Sequence, residues 1–187
     1  MNYFDLFSNM RIPGRWVLGD PLDEHGLEIS PWQFREGRQL DLQGMIRFRQ
    51  LHPGHALDFS IAGSGIPVVH ERVVSLFDQL KLQQQIQFLR VRVEGHPEPY
   101  FILNALRVIR CIDDARCEEV LYWKPEDGRP DKVGQYRNVA GLRIDEHLTG
   151  DAHVFRPWGW RVVLIVSEVV KQALEQEGVT GTKFTPV

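Results

Sequence analysis

The sequence predicts an α+β fold in a single domain: a mostly antiparallel or mixed sheet of short strands with two main helices, at about residues 67–82 and 167–177. Three observations carry this expectation. Roughly eight stretches have strand-like patterns, alternating or continuously apolar. Only two stretches carry an apolar stripe at helical spacing. Those two do not alternate with the strands as a parallel βαβ architecture requires. At 187 residues, 43% of them hydrophobic, the chain can bury roughly 70% of its unfolded surface and needs neither disulfides nor a structural metal.

The first 65 residues are loop-rich. Pro13–Gly14, Gly19–Asp20–Pro21, Gly26, Pro31, Gly37 and Gly44 leave only short strand windows such as Arg15–Leu18. Met45–Arg49 and Leu57–Ile61 alternate with period two, which puts Arg47 and Arg49 together on an outer face. Pro67 suits the first turn of a helix whose stripe is Val69, Val73, Leu76, Phe77 and Leu80. Ile86–Val93, Tyr100–Leu103 and Leu106–Ile112 read as three strands, and Gly95–Pro99 is too short for a parallel crossover. Asp113–Lys132 is polar, mostly acidic and broken by Pro125, Gly128 and Pro130, so it reads as a surface excursion. Val139–Ile144, His153–Arg156 and Val162–Val166 are further short elements, the last a buried strand. Ser167 caps the second helix, Val170, Ala173 and Leu174 face inward, and Gly178 ends it. Thr182–Val187 alternates as a closing strand would.

Charge and composition exclude several functions. A balance of 22 Lys and Arg against 25 Asp and Glu leaves a net charge of -3, a poor basis for gripping a phosphate backbone, so no direct nucleic-acid partner is expected. No apolar run approaches the roughly 20 residues of a membrane-spanning helix, and the N-terminus lacks the basic start and apolar stretch of an export signal. Cys111 and Cys117 have neither zinc-site nor redox spacing. The expectation is a cytoplasmic protein with two reduced thiols, no cofactor and no membrane partner. Nothing in the sequence predicts a homo-oligomer.

Catalytic signatures are missing from the string. Gly63–Ser64–Gly65 lacks the spacing of a hydrolase nucleophile elbow, and no phosphate-binding loop occurs. His52 and His55 share a Pro–Gly turn without acid or thiol partners, so no metal ligand is assigned. A hydrolase would need Asp113, Asp114 and His153 to converge in one pocket. An RNA-binding sheet would need rings and cations on one face, whereas Phe48 falls opposite Arg47 and Arg49. Two features suit protein recognition. Trp158, Trp160 and Arg161 are residue types enriched at interface hot spots, although the indoles equally suit capping the core. Asp114, Glu118 and Glu119 belong to an acidic stretch that would complement a basic partner or serve as a solvated face.

The order of several short strings carries a resemblance. Pro67–Val73 (Pro-Val-Val-His-Glu-Arg-Val), Tyr100–Asn104, Cys111–Asp114, His153–Arg156, Val166–Glu168 and Gly178–Phe184 together resemble the myxobacterial-type immunity proteins of bacterial polymorphic toxin systems. The likeness runs from about residue 66 to the C-terminus, with Arg15–Trp16 a weaker N-terminal match. It implies a non-enzymatic protein encoded beside a secreted or contact-delivered toxin, nucleases being common among such toxins. It further implies that the protein neutralises its cognate toxin by binding it inside the producing cell. Cys117 stands where relatives often carry serine, and Trp158–Gly159–Trp160 lies outside the shared pattern, among the variable features where toxin specificity would reside. The shared Cys111, Asp113, Phe155 and Arg156 are expected to be structural. A bidentate pair between Asp113 and Arg156, each ending a strand, would fix the two strands together.

Overall fold

The computed structural model describes residues 1–187. In chain order its strands are β1 (Tyr3–Ser8), β2 (Val17–Leu18), β3 (Ile46–Phe48), β4 (Gln50–His52), β5 (Phe59–Ala62), β6 (Ile66–His70), β7 (Ile86–Val93), β8 (His96–Ala105), β9 (Val108–Ile109), β10 (Glu119–Tyr122), β11 (Tyr136–Ala140), β12 (Val154–Pro157), β13 (Ile165–Ser167) and β14 (Thr182–Pro186). The helices are α1 (Glu71–Gln79) and α2 (Glu168–Gln176). One five-stranded sheet runs β14-β1-β13-β12-β9 and another β3-β7-β8-β6-β5; β10 pairs with β11, and β2 with β4. Only β3/β7 and β12/β9 are parallel, so the α+β class and the mixed, mostly antiparallel pairing agree with the sequence pattern.

The largest core lies where both sheets meet both helices. Leu6 of β1 and Val166 of β13 meet Val69 of β6 and Leu103 of β8, with Val73 and Phe77 of α1 and Val170 and Leu174 of α2 closing the layer. The other face of the β7/β8/β6 sheet is covered by the N-terminal loops, which contribute Trp16, Phe34 and Leu40. A smaller third core packs Cys111, Ile144, Phe155 and Tyr3 on the outer face of the first sheet. Phe155 and Tyr3 meet edge to face at 5.5 Å.

Several elements differ from their sequence reading. The segment 66–70 is a strand, and α1 starts at Glu71, where the His70 ring accepts the N–H of Arg72. Pro67 is tolerated there because the β6/β8 ladder begins at Val68, so no partner on that side needs its missing N–H. Leu106–Ile112 yields only the two-residue β9, because the chain leaves the sheet for the surface excursion. The strand expected at Val162–Val166 starts at Ile165, and Val162 stands exposed in the preceding turn. Tyr3–Ser8, not read as an element, is an interior strand of the first sheet. The closing strand, the α2 cap by Ser167 and the left-handed Gly178 past its end appear as expected.

Candidate functional site

Between β9 and β12 the chain leaves the body as an arm. Its base is closed by Asp113 N–H donating to the Arg143 carbonyl at 2.9 Å and Asp145 N–H donating to the Cys111 carbonyl at 2.7 Å. Its shaft is the β10/β11 hairpin. Asp114 braces the hairpin by accepting hydrogen bonds from both Tyr122 and Tyr136, the latter at 2.6 Å. Burial, and then the Asp114 carboxylate, push the Tyr136 phenol above its ordinary range. The arm is fastened to the body at Gly159, whose carbonyl accepts the Tyr136 N–H at 3.2 Å. Gly159 has φ +79°, and an added Cβ would sit 3.0 Å from the Tyr136 ring, so glycine is what permits this approach.

Where the arm leans back, it encloses a cleft of about 290 Å³ with the Pro31–Arg35 turn and the 159–162 loop. Its rings are Trp32, Trp123, Tyr136 and Trp160, and its cations are Arg35, Lys132, Arg137 and Arg161. Lys132 Nζ sits 5.5 Å from the Trp32 ring and 5.3 Å from that of Trp123, bridging body and arm through ring faces. Arg137 Cζ lies 5.4 Å from the Trp123 ring and pairs with Asp127 at 2.9 Å. Trp32 nevertheless remains 59% exposed. Buried core residues do not leave an indole in water in this way, whereas recognition surfaces do.

The two indoles expected to act together diverge. Trp160 and Arg161 line the cleft. Trp158 lines a separate depression beside Cys111 and Tyr122, with the Arg110 guanidinium stacked 3.3 Å above its ring. Among the acidic candidates, Asp114 is committed to the tyrosines, while Glu118 and Glu119 are exposed at the arm's base and do not line the cleft. Sequence reasoning missed Trp32, Arg35, Trp123, Lys132, Tyr136 and Arg137. The available signal was that tryptophan stands within a few residues of a cation in Trp32–Arg35, Trp123–Lys124 and Trp160–Arg161.

The expected Asp113–Arg156 pair does not form. Asp113 accepts from the backbone N–H groups of Ala115 and Arg116 at 3.2 and 3.3 Å, because donors two and three residues on are within reach of an aspartate entering a turn. Arg156 is 1% exposed and turns the other way, its Nη1 donating to the Arg161 and Val163 carbonyls at 2.9 and 3.1 Å. Its Nε and Nη2 have no partner. Burial and the neighbouring Arg35 lower its pKa to about 9, so it is still charged at neutral pH. Asp5 supplies the opposing charge, and burial there outweighs Arg156 and raises the carboxyl to about 6. Cys111 and Phe155 do meet, in the third core, where burial pushes the Cys111 thiol up to about 12; both cysteines are free thiols.

The residues a hydrolase would need are not brought together. Asp113 holds a turn and Asp114 the tyrosine pair, while His153 Nδ1 lies 2.8 Å from the Ser167 hydroxyl that caps α2. That serine is fully buried, so the Ser–His contact is a structural cap. No group of three or more His, Cys, Asp or Glu side chains is placed to hold a metal ion. Phe48 is buried and Arg47 exposed, so ring and cations lie on opposite faces of that strand. No helix is long and apolar enough to cross a membrane.

The family pattern described as Immunity protein family (Imm11) matches residues 1–187. The chain belongs to the Imm11 immunity family. No curated protein matches it. The Imm11 match includes the first 65 residues, which supply Trp16 and Phe34 to the second core and Trp32 and Arg35 to the cleft. Membership carries an immunity function with a toxin as the partner in general terms.

Proposed function

We propose that this Imm11 protein acts as one unit, without catalysis, in the cytoplasm of the producing bacterium. It neutralises the toxin encoded beside it in a polymorphic toxin system by binding through the face that holds the Trp32–Trp123–Trp160 cleft. The observation that carries the reading is that cleft: three indoles and two guanidiniums without a carboxylate partner, Arg35 and Arg161, gathered at an open surface of a family member. Tryptophan concentrates binding energy by burying a large, rigid ring, and arginine by directional, bidentate donors. Trp158, already covered by Arg110, adds little to this face.

Co-expression with the product of the adjacent gene, followed by affinity purification and a growth-rescue assay, tests the proposal. A stable complex and rescued growth are expected. Trp160→Ala should weaken the complex by about 30-fold or more, while Trp158→Ala leaves it within a few-fold of wild type. A toxic neighbour that is neither bound nor neutralised would overturn the proposal.

A further inference from the structure

We infer that the cleft receives a carboxylate side chain on an acidic segment of the partner protein, with Arg161 and Arg35 as the groups that grip it. This rests on the toxin-binding reading above and names the chemistry of the partner at that face. The charge inventory is the starting point. Four cations line the opening against one carboxylate, Glu36, and Glu36 already pairs with Arg38 at 2.6 Å. Arg137 is neutralised by Asp127, and Lys132 is occupied with two ring faces. Arg35 and Arg161 have no acidic partner: the Nε–H of each is buried with no acceptor, while Arg35 also donates from Nη2 to the Ser64 carbonyl and lies 5.2 Å from the Trp32 ring.

Behind the Arg161 backbone lies a further guanidinium. Arg156 does not line the cleft but donates to the backbone carbonyl of Arg161, with two more guanidinium nitrogens unpartnered and nine-tenths of its surface or more out of water. Asp5 is the carboxylate acting on it and, with its carboxyl at about 6, is ionised at neutral pH, but it makes no hydrogen bond to the unpartnered nitrogens. A desolvated guanidinium with unmade hydrogen bonds is costly, and an arriving anion relieves that cost. A carboxylate offers two acceptor oxygens suited to guanidinium forks, and the surrounding rings exclude water from the contact. Nucleic acid fits less well. Two guanidiniums without a carboxylate partner share one opening of about 290 Å³, room for a side chain or two, not a track of cations along a backbone.

The indole N–H signals of the five tryptophans in a proton–nitrogen correlation spectrum provide a local readout, assigned with single Trp→Phe variants. Hexaglutamate should shift Trp32, Trp123 and Trp160 and leave the buried Trp16 and the covered Trp158 in place. Arg161→Gln should weaken that response and the toxin complex by about 30-fold or more, with Arg161→Lys recovering part of the loss. The fold tolerates these changes because Arg156 binds the Arg161 backbone oxygen, not its side chain; an unchanged melting curve verifies it. Absence of a hexaglutamate response, an equal response to hexalysine, or tighter binding of oligothymidylate would each overturn the inference. So would a toxin complex indifferent to Arg161→Gln. A wild-type protein that binds hexaglutamate but not the neighbouring toxin supports the cleft chemistry and overturns the functional reading alone.

Discussion

Replacing Asp5 by asparagine should stabilise the protein at neutral pH, and the gain should vanish in acid. The carboxyl moves from an ordinary 3.8 to about 6 because burial penalises its charge more than the Leu164 backbone N–H and Arg156 together reward it. Each pH unit of that displacement is worth about 1.4 kcal/mol, so ionised Asp5 costs the folded state about 3 kcal/mol. The sign follows from proton counting. Between about pH 4 and 6 the folded protein holds a proton that the unfolded chain has released, so this group's contribution falls as pH rises through that window and is level above it. The amide keeps the shape and removes the charge, but Arg156 loses the attraction of the carboxylate, so the expected net gain at about pH 7.5 is 1–3 kcal/mol. Urea unfolding followed by tryptophan fluorescence, run on both proteins from about pH 4 to 7.5, measures it. Exposed pairs such as Arg107–Asp151 are common to both proteins and cancel in the difference. A variant that is less stable at neutral pH would mean that Asp5 serves chiefly as counter-ion to Arg156, and would refute the reasoning.

Two further substitutions test the arm. Gly159→Ala forces a side chain onto φ +79° and against the Tyr136 ring, and should cost about 1–3 kcal/mol. It should also speed hydrogen exchange at the Tyr136 amide; wild-type exchange would show that the arm is held elsewhere. Asp114→Asn weakens two charge-assisted hydrogen bonds, with an expected loss of about 1 kcal/mol, and should let Tyr136 ionise at lower pH in an ultraviolet titration. An unchanged tyrosine titration would refute the bracing role.

The fold was legible where periodicity was long. The β7/β8 hairpin, the α2 helix with its serine cap, and the closing strand followed from spacing and end signals that act locally. β1 was not legible, because this interior strand buries Tyr3, Leu6 and Ser8 without strict alternation. Pro67 misplaced the start of α1, since a strand can accommodate proline where one neighbour's ladder has not begun. The cleft was half legible. Trp160 and Arg161 were singled out by residue type, but Trp32, Trp123 and Lys132 reach it from segments remote in sequence. No periodic pattern encodes that meeting. It depends on Gly159 letting Tyr136 approach and on Lys132 spanning two rings.

A chain of net charge -3 with a cationic cleft has a kinetic consequence. Charges farther apart than about 8 Å are largely screened at physiological salt, so an approaching acidic segment senses the cleft only near contact. The overall negative charge gives such a partner no long-range pull, and its encounter rate stays in the unsteered range. Once it is seated, the situation reverses. The buried nitrogens of Arg35 and Arg161 are out of solvent, indoles border them, and a carboxylate that leaves must return those donors to an unsatisfied state. On the proposed reading the cleft would therefore act on the lifetime of the complex, not on its formation. If the proposed toxin contact holds, a slow dissociation rate is what a few desolvated guanidiniums among aromatic rings would supply without a strongly basic surface.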